Sequence, residues 1–387
     1  MAIKAITNAT IVLENSMIWD GVIIVTDDKI TAVGPRREIE IPKEAEIIDA
    51  GGAYVGPGFV DLHVHGGNGF STCFEPEEAA DFFLQHGTTT LLSTPDYGMN
   101  LETFLEVIRN GRNAMKTRKN IKGLYLEGPY TNPKYGAQAY RNLWQHPICE
   151  EEYKALVDAA GTDAKVWTIA PEREGLLPFL EYARKVNPDV VFSVGHSEAT
   201  PAQIQSLGAY KPTLVTHIMC ATGQIRINGS PRGTGPDEYA FLEPDVYAEL
   251  ISDSCAVHVQ ADMQRMILNQ KGIHRMVLIT DGTVRNNPAP ERFAHVMDIN
   301  FNPLGQISGS KLTMDMACRN IMAHTGCGIV QAFVMASLNP AKVVGMDNEI
   351  GSIAVGKAAD LVFVDDKFNV KQVVLGGELQ KFLEAKI

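Results

Sequence analysis

Through the middle of the chain, short and nearly all-apolar runs alternate with longer amphipathic stretches. There are eight such runs: YVGPGFVDLHVH, TTTLLSTP, IKGLYLEGPY, KVWTIAPE, VVFSVGHS, TLVTHI, SCAVHVQA and RMVLITDGT. An apolar run without polar alternation is the mark of a parallel strand buried on both faces. Stretches such as PEEAADFFLQHG and EEYKALVDAAG between them have the spacing of covering helices. Eight β/α units over roughly 300 residues match the size of a closed (β/α)8 barrel. A doubly wound open sheet is the alternative, but no GxGxxG opens any of the helices. The pattern predicts an α/β chain with a TIM-like barrel over residues 53–352.

The two ends have a different texture. AITNATIVLEN, DGVIIVTDDKITAVGP and AEIIDAGGAYV alternate apolar with polar and are broken by Asn, Asp-Gly and Gly-Pro turns. GSIAVGKAADLVFVDDKFNVKQVVLGGELQ near the other end reads the same way. A small β-sandwich built from residues 1–52 plus 353–387 is expected, with the barrel inserted between its halves.

Composition changes this picture only at its edges. A formal charge of −12 argues against nucleic acid or an anionic membrane as a partner. It also means that an anionic substrate needs a locally positive site. No apolar run approaches the roughly 20 residues of a membrane span, and the first residues, MAIKAITNATIVLENS, do not read as a signal peptide. Six cysteines without CxxC spacing suit reduced thiols. A cytoplasmic protein is expected.

The unusual residues fall at predicted strand ends, where a barrel gathers its active site. His63 and His65 end the first run, Glu127 the third, His196 the fifth, His217 the sixth and Asp281 the eighth; His258 lies near the end of the seventh. Singly, each is more readily a satisfied polar residue than a ligand. Together they point elsewhere, because residues i and i+2 of a strand share a face and HxH aims both imidazoles at the barrel mouth. Mixed His and carboxylate ligands suit a catalytic divalent metal, one or two per subunit, with Zn²⁺ the first choice and Fe²⁺ or Mn²⁺ the alternatives. Such a centre acidifies bound water and polarises a carbonyl. Asp281 is placed to shuttle a proton from that water to the leaving group. Cys220 lies close by but is a weak ligand candidate.

With these residues in view, the chain resembles the amidohydrolase superfamily of metal-dependent hydrolases, and within it the N-acetylglucosamine-6-phosphate deacetylases. The resemblance is carried by GPGFVDLHVHGG, LEGPY, GHSEAT, TH with a short polar loop, LITDGT, GSKLTMDMACRN and SLNPAKVVGMDNEIGSIAVGKAADLVFVD. It implies Glu127, His196 and His217 as ligands of the main metal and His63 and His65 as ligands of a second, with Glu127 bridging. It implies Asp281 as the catalytic aspartate. Relatives that bridge two metals with a carboxylated lysine at the end of strand four are disfavoured, since Lys165 sits at the opposite end of that run.

The resemblance also implies substrate contacts. Ala137 and Gln138 match the loop that touches the sugar, Cys220 and Ala221 a pair whose backbone helps hold the phosphate, and His258 a substrate-contacting histidine. Ile307, Ser308 and Gly309 align with a loop closing over the substrate; a tight turn before a helix is the other reading of that segment. Three departures bear on the sugar. Gln138 stands where the family has His, and an amide donates a hydrogen bond but carries no charge. Cys220 replaces an Asn. The segment GQIRINGSPRGTG does not match the family's phosphate-binding arginine loop cleanly, which leaves Arg226 and Arg232 both as candidates or as solvated loop charges. In the family that arginine comes from the neighbouring subunit, so a homodimer is expected.

The resulting expectation is a deacetylase acting on a phosphorylated amino sugar, N-acetylglucosamine 6-phosphate first and its galactosamine epimer second. An amidohydrolase for another N-acyl amide, and a non-catalytic assembly protein on a decayed hydrolase fold, are the competing readings. The second of these is opposed by the intact set of His63, His65, Glu127, His196, His217 and Asp281.

Overall fold

The computed structural model describes residues 2–137 and 139–381. Eight parallel strands form the barrel: Phe59–Val64, Thr88–Ser93, Ile121–Leu126, Ala164–Ile169, Val191–Val194, Leu214–Val215, Tyr247–Ile251 and Met276–Ile279. They pair in sequence order. The ring closes where Val64 bridges Gly282, with Asp281 N–H donating to His63 O (3.0 Å) and His65 N–H to Gly282 O (2.8 Å). Six of the strands are apolar enough for the sequence to reveal them directly. Helices such as Pro76–Gln85, Leu101–Ala114 and Glu150–Ala160 cover the outside with one apolar face each. No helix among the described residues is long and apolar enough to cross a membrane.

Two strand readings need correction. The seventh strand is Tyr247–Ile251, not SCAVHVQA. Its apolar run is interrupted by Glu249, which points into the barrel and is fully buried, so the pattern there does not look apolar. SCAVHVQA alternates like a strand but is a loop gathered on one carboxylate. Asp253 accepts from the N–H groups of Cys255, Val257 and His258 at 2.8–3.2 Å. His258 therefore lies seven residues beyond its strand.

YVGPGFVDLHVH is likewise two elements. Tyr54–Pro57 belongs to the sheet built from the chain's ends, where it pairs with Ile3–Val12 and Leu361–Val364. The barrel strand begins at Phe59, and the break falls at Gly58, where a Cβ would come within 2.1 Å of the Thr89 side chain. The end-built sheet has eight strands, seven in one continuous order and the eighth, Glu46–Asp49, paired with Ile3–Val12 beside Tyr54–Pro57. It meets the barrel through the packed rings of Phe59, Phe333 and Phe368, whose centroids lie 5.4–6.0 Å apart.

Candidate active site and metal centre

The loops leaving the barrel strands surround a cleft of about 900 Å³. His65, Glu127, His196, His217 and Asp281 line it, and His63 lies fully buried just beneath. Three of these residues occupy the left-handed region, His196 at φ +47°, His217 at +30° and Asp281 at +46°. For residues with a Cβ this costs about 1–3 kcal/mol each, a strain that collects at functional sites. Backbone bonds hold it in place: Asn132 N–H donates to His196 O (2.8 Å) and Ser310 N–H to Asp281 O (2.8 Å).

The ligand atoms fall into two groups that share Glu127: His63, His65 and Glu127, and Glu127, His196 and His217. Glu127 Oε1 lies 2.8 Å from His196 Nε2 and 3.1 Å from His217 Nε2. Glu127 Oε2 lies 3.3 Å from His65 Nε2. The ring tautomers follow from the opposite nitrogens. His65 Nδ1–H donates to Thr94 O (2.8 Å), His196 Nδ1–H to Tyr135 O (3.2 Å) and His217 Nδ1–H to Cys220 O (3.1 Å). When neutral, each ring thus presents a bare Nε2 lone pair to a carboxylate, and the His196 and His217 Nε2 atoms face each other at 3.1 Å. Lone pairs and anionic oxygens packed this way repel unless positive charge lies among them. The donor set therefore fits a divalent cation, and its nitrogen and oxygen atoms suit the borderline metals.

The electrostatics carry the same demand. Burial works against charge on His65, yet the Asp281 and Glu127 carboxylates overcome it and hold the imidazole well above its ordinary range. His217 is pushed up to about 9 against its burial, chiefly by Glu127. Burial would raise Glu127 and Asp281, but the surrounding imidazoles keep both carboxyls below their usual range.

Glu249 is a site residue that sequence reading misses. Its Oε2 lies 3.3 Å from His63 Nδ1 and accepts from Tyr125 Oη (3.2 Å) and His217 N–H (3.3 Å). A glutamate inside the seventh strand was the available signal, because a carboxylate buried in a barrel interior needs polar or charged partners to offset its desolvation.

The substrate-facing expectations divide. Ala137, Cys220, Ala221, His258 and the segment Ile307–Gly309 all line the cleft. Ile307–Ser310 is neither a free loop nor a tight turn but a short strand paired with Ile299–Phe301. A Cβ on Gly309, at φ +68°, would meet Asp281 O at 2.5 Å, so this strand backs the aspartate. Burial pushes the Cys220 thiol up, away from the thiolate a metal ligand requires, and Cys220 belongs to neither ligand group. Arg226 and Arg232 are exposed and do not line the cleft; Arg141 and Arg285 do. Gln138 lies outside the described residues.

The model of the amidohydrolase family matches residues 54–379. The N-acetylglucosamine-6-phosphate deacetylase of Bacillus subtilis (strain 168) is 27% identical, covering 97% of this chain and 96% of that protein. The N-acetylgalactosamine-6-phosphate deacetylase of Escherichia coli O157:H7 is 27% identical, covering 95% and 97%. Among solved structures, a variant N-acetyl-D-glucosamine-6-phosphate deacetylase from Mycobacterium smegmatis in complex with N-acetyl-D-glucosamine-6-phosphate superposes with a TM-score of 0.82, at 26% identity over 98% of this chain and 99% of that one. Cleft, ligand geometry and these likenesses lead to one conclusion: the chain belongs to the amidohydrolase family.

Proposed function

We propose that this protein is a metal-dependent deacetylase that hydrolyses N-acetylglucosamine 6-phosphate to glucosamine 6-phosphate and acetate. The observation that carries the reading is the convergence of Glu127, His196 and His217 with Asp281 in one cleft, in a chain similar along its length to sugar-phosphate deacetylases. A divalent ion, Zn²⁺ in this reading, would be held by Glu127, His196 and His217, and a second by His63 and His65 with Glu127 shared; when bound it supplies Lewis-acid polarisation of the acetyl carbonyl and a more acidic water.

The protein's own groups do the rest. Asp281 Oδ1, 3.4 Å from His65 Nε2, accepts a proton as water oxygen bonds to the acetyl carbon. It returns that proton to nitrogen as the C–N bond breaks, so acetate and a free amine leave. The strand Ile307–Ser310 holds Asp281 from behind, Ala137 and His258 orient the sugar, and the backbone of Cys220 and Ala221 helps hold the phosphate. In this reading Gln138 donates to the acetyl oxygen. Arg226 or Arg232 would reach substrate only from the neighbouring subunit of a homodimer. Six unpaired cysteines accord with a cytoplasmic setting.

Acetate release from a panel of N-acetylglucosamine 6-phosphate, N-acetylgalactosamine 6-phosphate, unphosphorylated N-acetylglucosamine and N-acetyl amino acids tests the reading. Preferred turnover of the glucosamine phosphate supports it. Preference for the galactosamine epimer would make the second relative the better guide, since both are 27% identical. Turnover of neither sugar phosphate by metal-loaded protein would overturn it.

A further inference from the structure

We infer that Arg285, from this same chain, is the anchor for the anionic end of the substrate. The inference rests on the proposed reading that the substrate carries a phosphate, and it names the residue that recognises it. Two cleft-lining residues among those described have a buried side-chain nitrogen without a hydrogen-bond partner: His258 Nε2 and Arg285 Nε. They stand on the loops that follow the seventh and eighth strands, which are neighbours in the barrel. Loops in this position are a frequent phosphate site in (β/α)8 enzymes. His258 is already explained as a sugar contact, its ring fixed by Nδ1–H donating to Asp253 Oδ2 at 3.1 Å. Arg285 lines the cleft without a part in the proposed chemistry.

Its setting is rigid. Asn287 Nδ2 donates to Phe301 O (2.8 Å), Asn300 Nδ2 to Thr283 O (2.9 Å) and Thr283 Oγ1 to Ser308 O (3.2 Å). These bonds tie the segment around Arg285 to the paired strands Ile299–Phe301 and Ile307–Ser310. Val257, beside His258, packs on the same apolar cluster as Phe301 and Ile307. Arg285 thus stands four residues after Asp281 in the same cleft, on a support tied to the strand that backs the aspartate.

Charge selects the class of ligand. Glu127, Asp96 and Asp281 line the cleft, so away from the metal-binding residues an anion needs a permanent cation opposite it. Among the described lining residues the permanent cations are Arg141 and Arg285. Arg141 shares its corner with Asp96, since both come within 4.0 Å of the point a Cβ on Gly98 would occupy. Arg285 makes no ion pair or hydrogen bond to a described residue. A planar guanidinium with its terminal nitrogens uncommitted presents a fork that matches a phosphate bidentately. The anchor is therefore supplied in cis, and neither Arg226 nor Arg232 of a neighbouring subunit is required for it.

The test compares wild type with Arg285→Gln, Arg285→Lys, Arg226→Ala and Arg232→Ala, all metal-loaded. Two quantities are read: the ratio of kcat/KM for N-acetylglucosamine 6-phosphate over N-acetylglucosamine, and the affinity for inorganic phosphate by calorimetric titration. Arg285→Gln should lower the ratio roughly 10- to 100-fold, as expected for one charged hydrogen-bonded pair, and weaken phosphate binding in parallel. Arg285→Lys, a point charge without the fork, should fall between. If no sugar is turned over but Arg285→Gln still loses phosphate affinity, the anchor stands and the proposed substrate falls. An unchanged ratio and unchanged phosphate affinity in Arg285→Gln would overturn the inference, as would a drop confined to Arg226→Ala or Arg232→Ala.

Discussion

Glu249 Oε2 lies 3.3 Å from His63 Nδ1, with both side chains fully buried in the barrel interior. The carboxylate sits behind the imidazole and turns Nε2 toward Glu127, the arrangement by which an outer carboxylate orients a metal-binding histidine. Glu249→Leu should weaken metal binding at the His63–His65–Glu127 group by roughly 10- to 100-fold, while the Glu127–His196–His217 group keeps its ion. Glu249→Gln retains an acceptor oxygen and should recover much of the loss. Chelator-competition titration with metal analysis separates the two groups, and equal affinities in wild type and Glu249→Leu would rule out this role.

Asp281→Asn removes the proton carrier but keeps the size of the side chain. Turnover should fall by about 10²- to 10⁴-fold with bound metal nearly unchanged. Steady-state acetate release and elemental analysis on the same preparation check both halves. An active Asp281→Asn protein would remove this residue from the chemistry.

Gly309→Ala asks for a methyl group 2.5 Å from both Asp281 O and Thr283 Cγ2, at φ +68°. It should cost about 1–3 kcal/mol of stability and lower kcat about tenfold as Asp281 shifts. Urea unfolding and kinetics measure the two effects. Unchanged values for both would show that Ile307–Ser310 does not hold the aspartate.

How far the chain announces this site can be judged residue by residue. His63 and His65 are legible because period-two alternation forces them onto one face. His196, His217 and Asp281 are legible because each ends an apolar run. Glu249 is hidden for the opposite reason: a buried carboxylate looks like solvent exposure to any reading of hydrophobic pattern, and it displaced the seventh strand in that reading. The break at Gly58 is hidden because strands of two different sheets abut without a polar residue between them. Arg285 is silent in sequence, since it is the fold that leaves its guanidinium without a partner among the described residues.

Lys271 gives a pH-dependent signal away from the site. Its ammonium donates to Ala240 O (2.7 Å) and Glu243 O (2.8 Å), and burial, with Arg275 nearby, lowers its pKa to about 8. Below pH 8 the folded and unfolded chains both carry this proton. Between about 8 and the ordinary lysine value near 10.4, the unfolded chain holds more of it, so stability contributed by this group rises with pH. The difference in melting temperature between wild type and Lys271→Met should shift in favour of wild type from pH 7.5 to pH 9.5. A difference that stays constant would contradict the lowered pKa.

The strand Tyr54–Pro57 takes one neighbour from Ile3–Val12 and the other from Leu361–Val364. On the ribosome, its second edge emerges early and must wait through synthesis of the whole barrel for its partner. An unpaired apolar edge of that kind recruits strands from other polypeptides. The final strands thus act as a clasp that closes this vulnerable interval, and shielding by chaperones matters most before they appear.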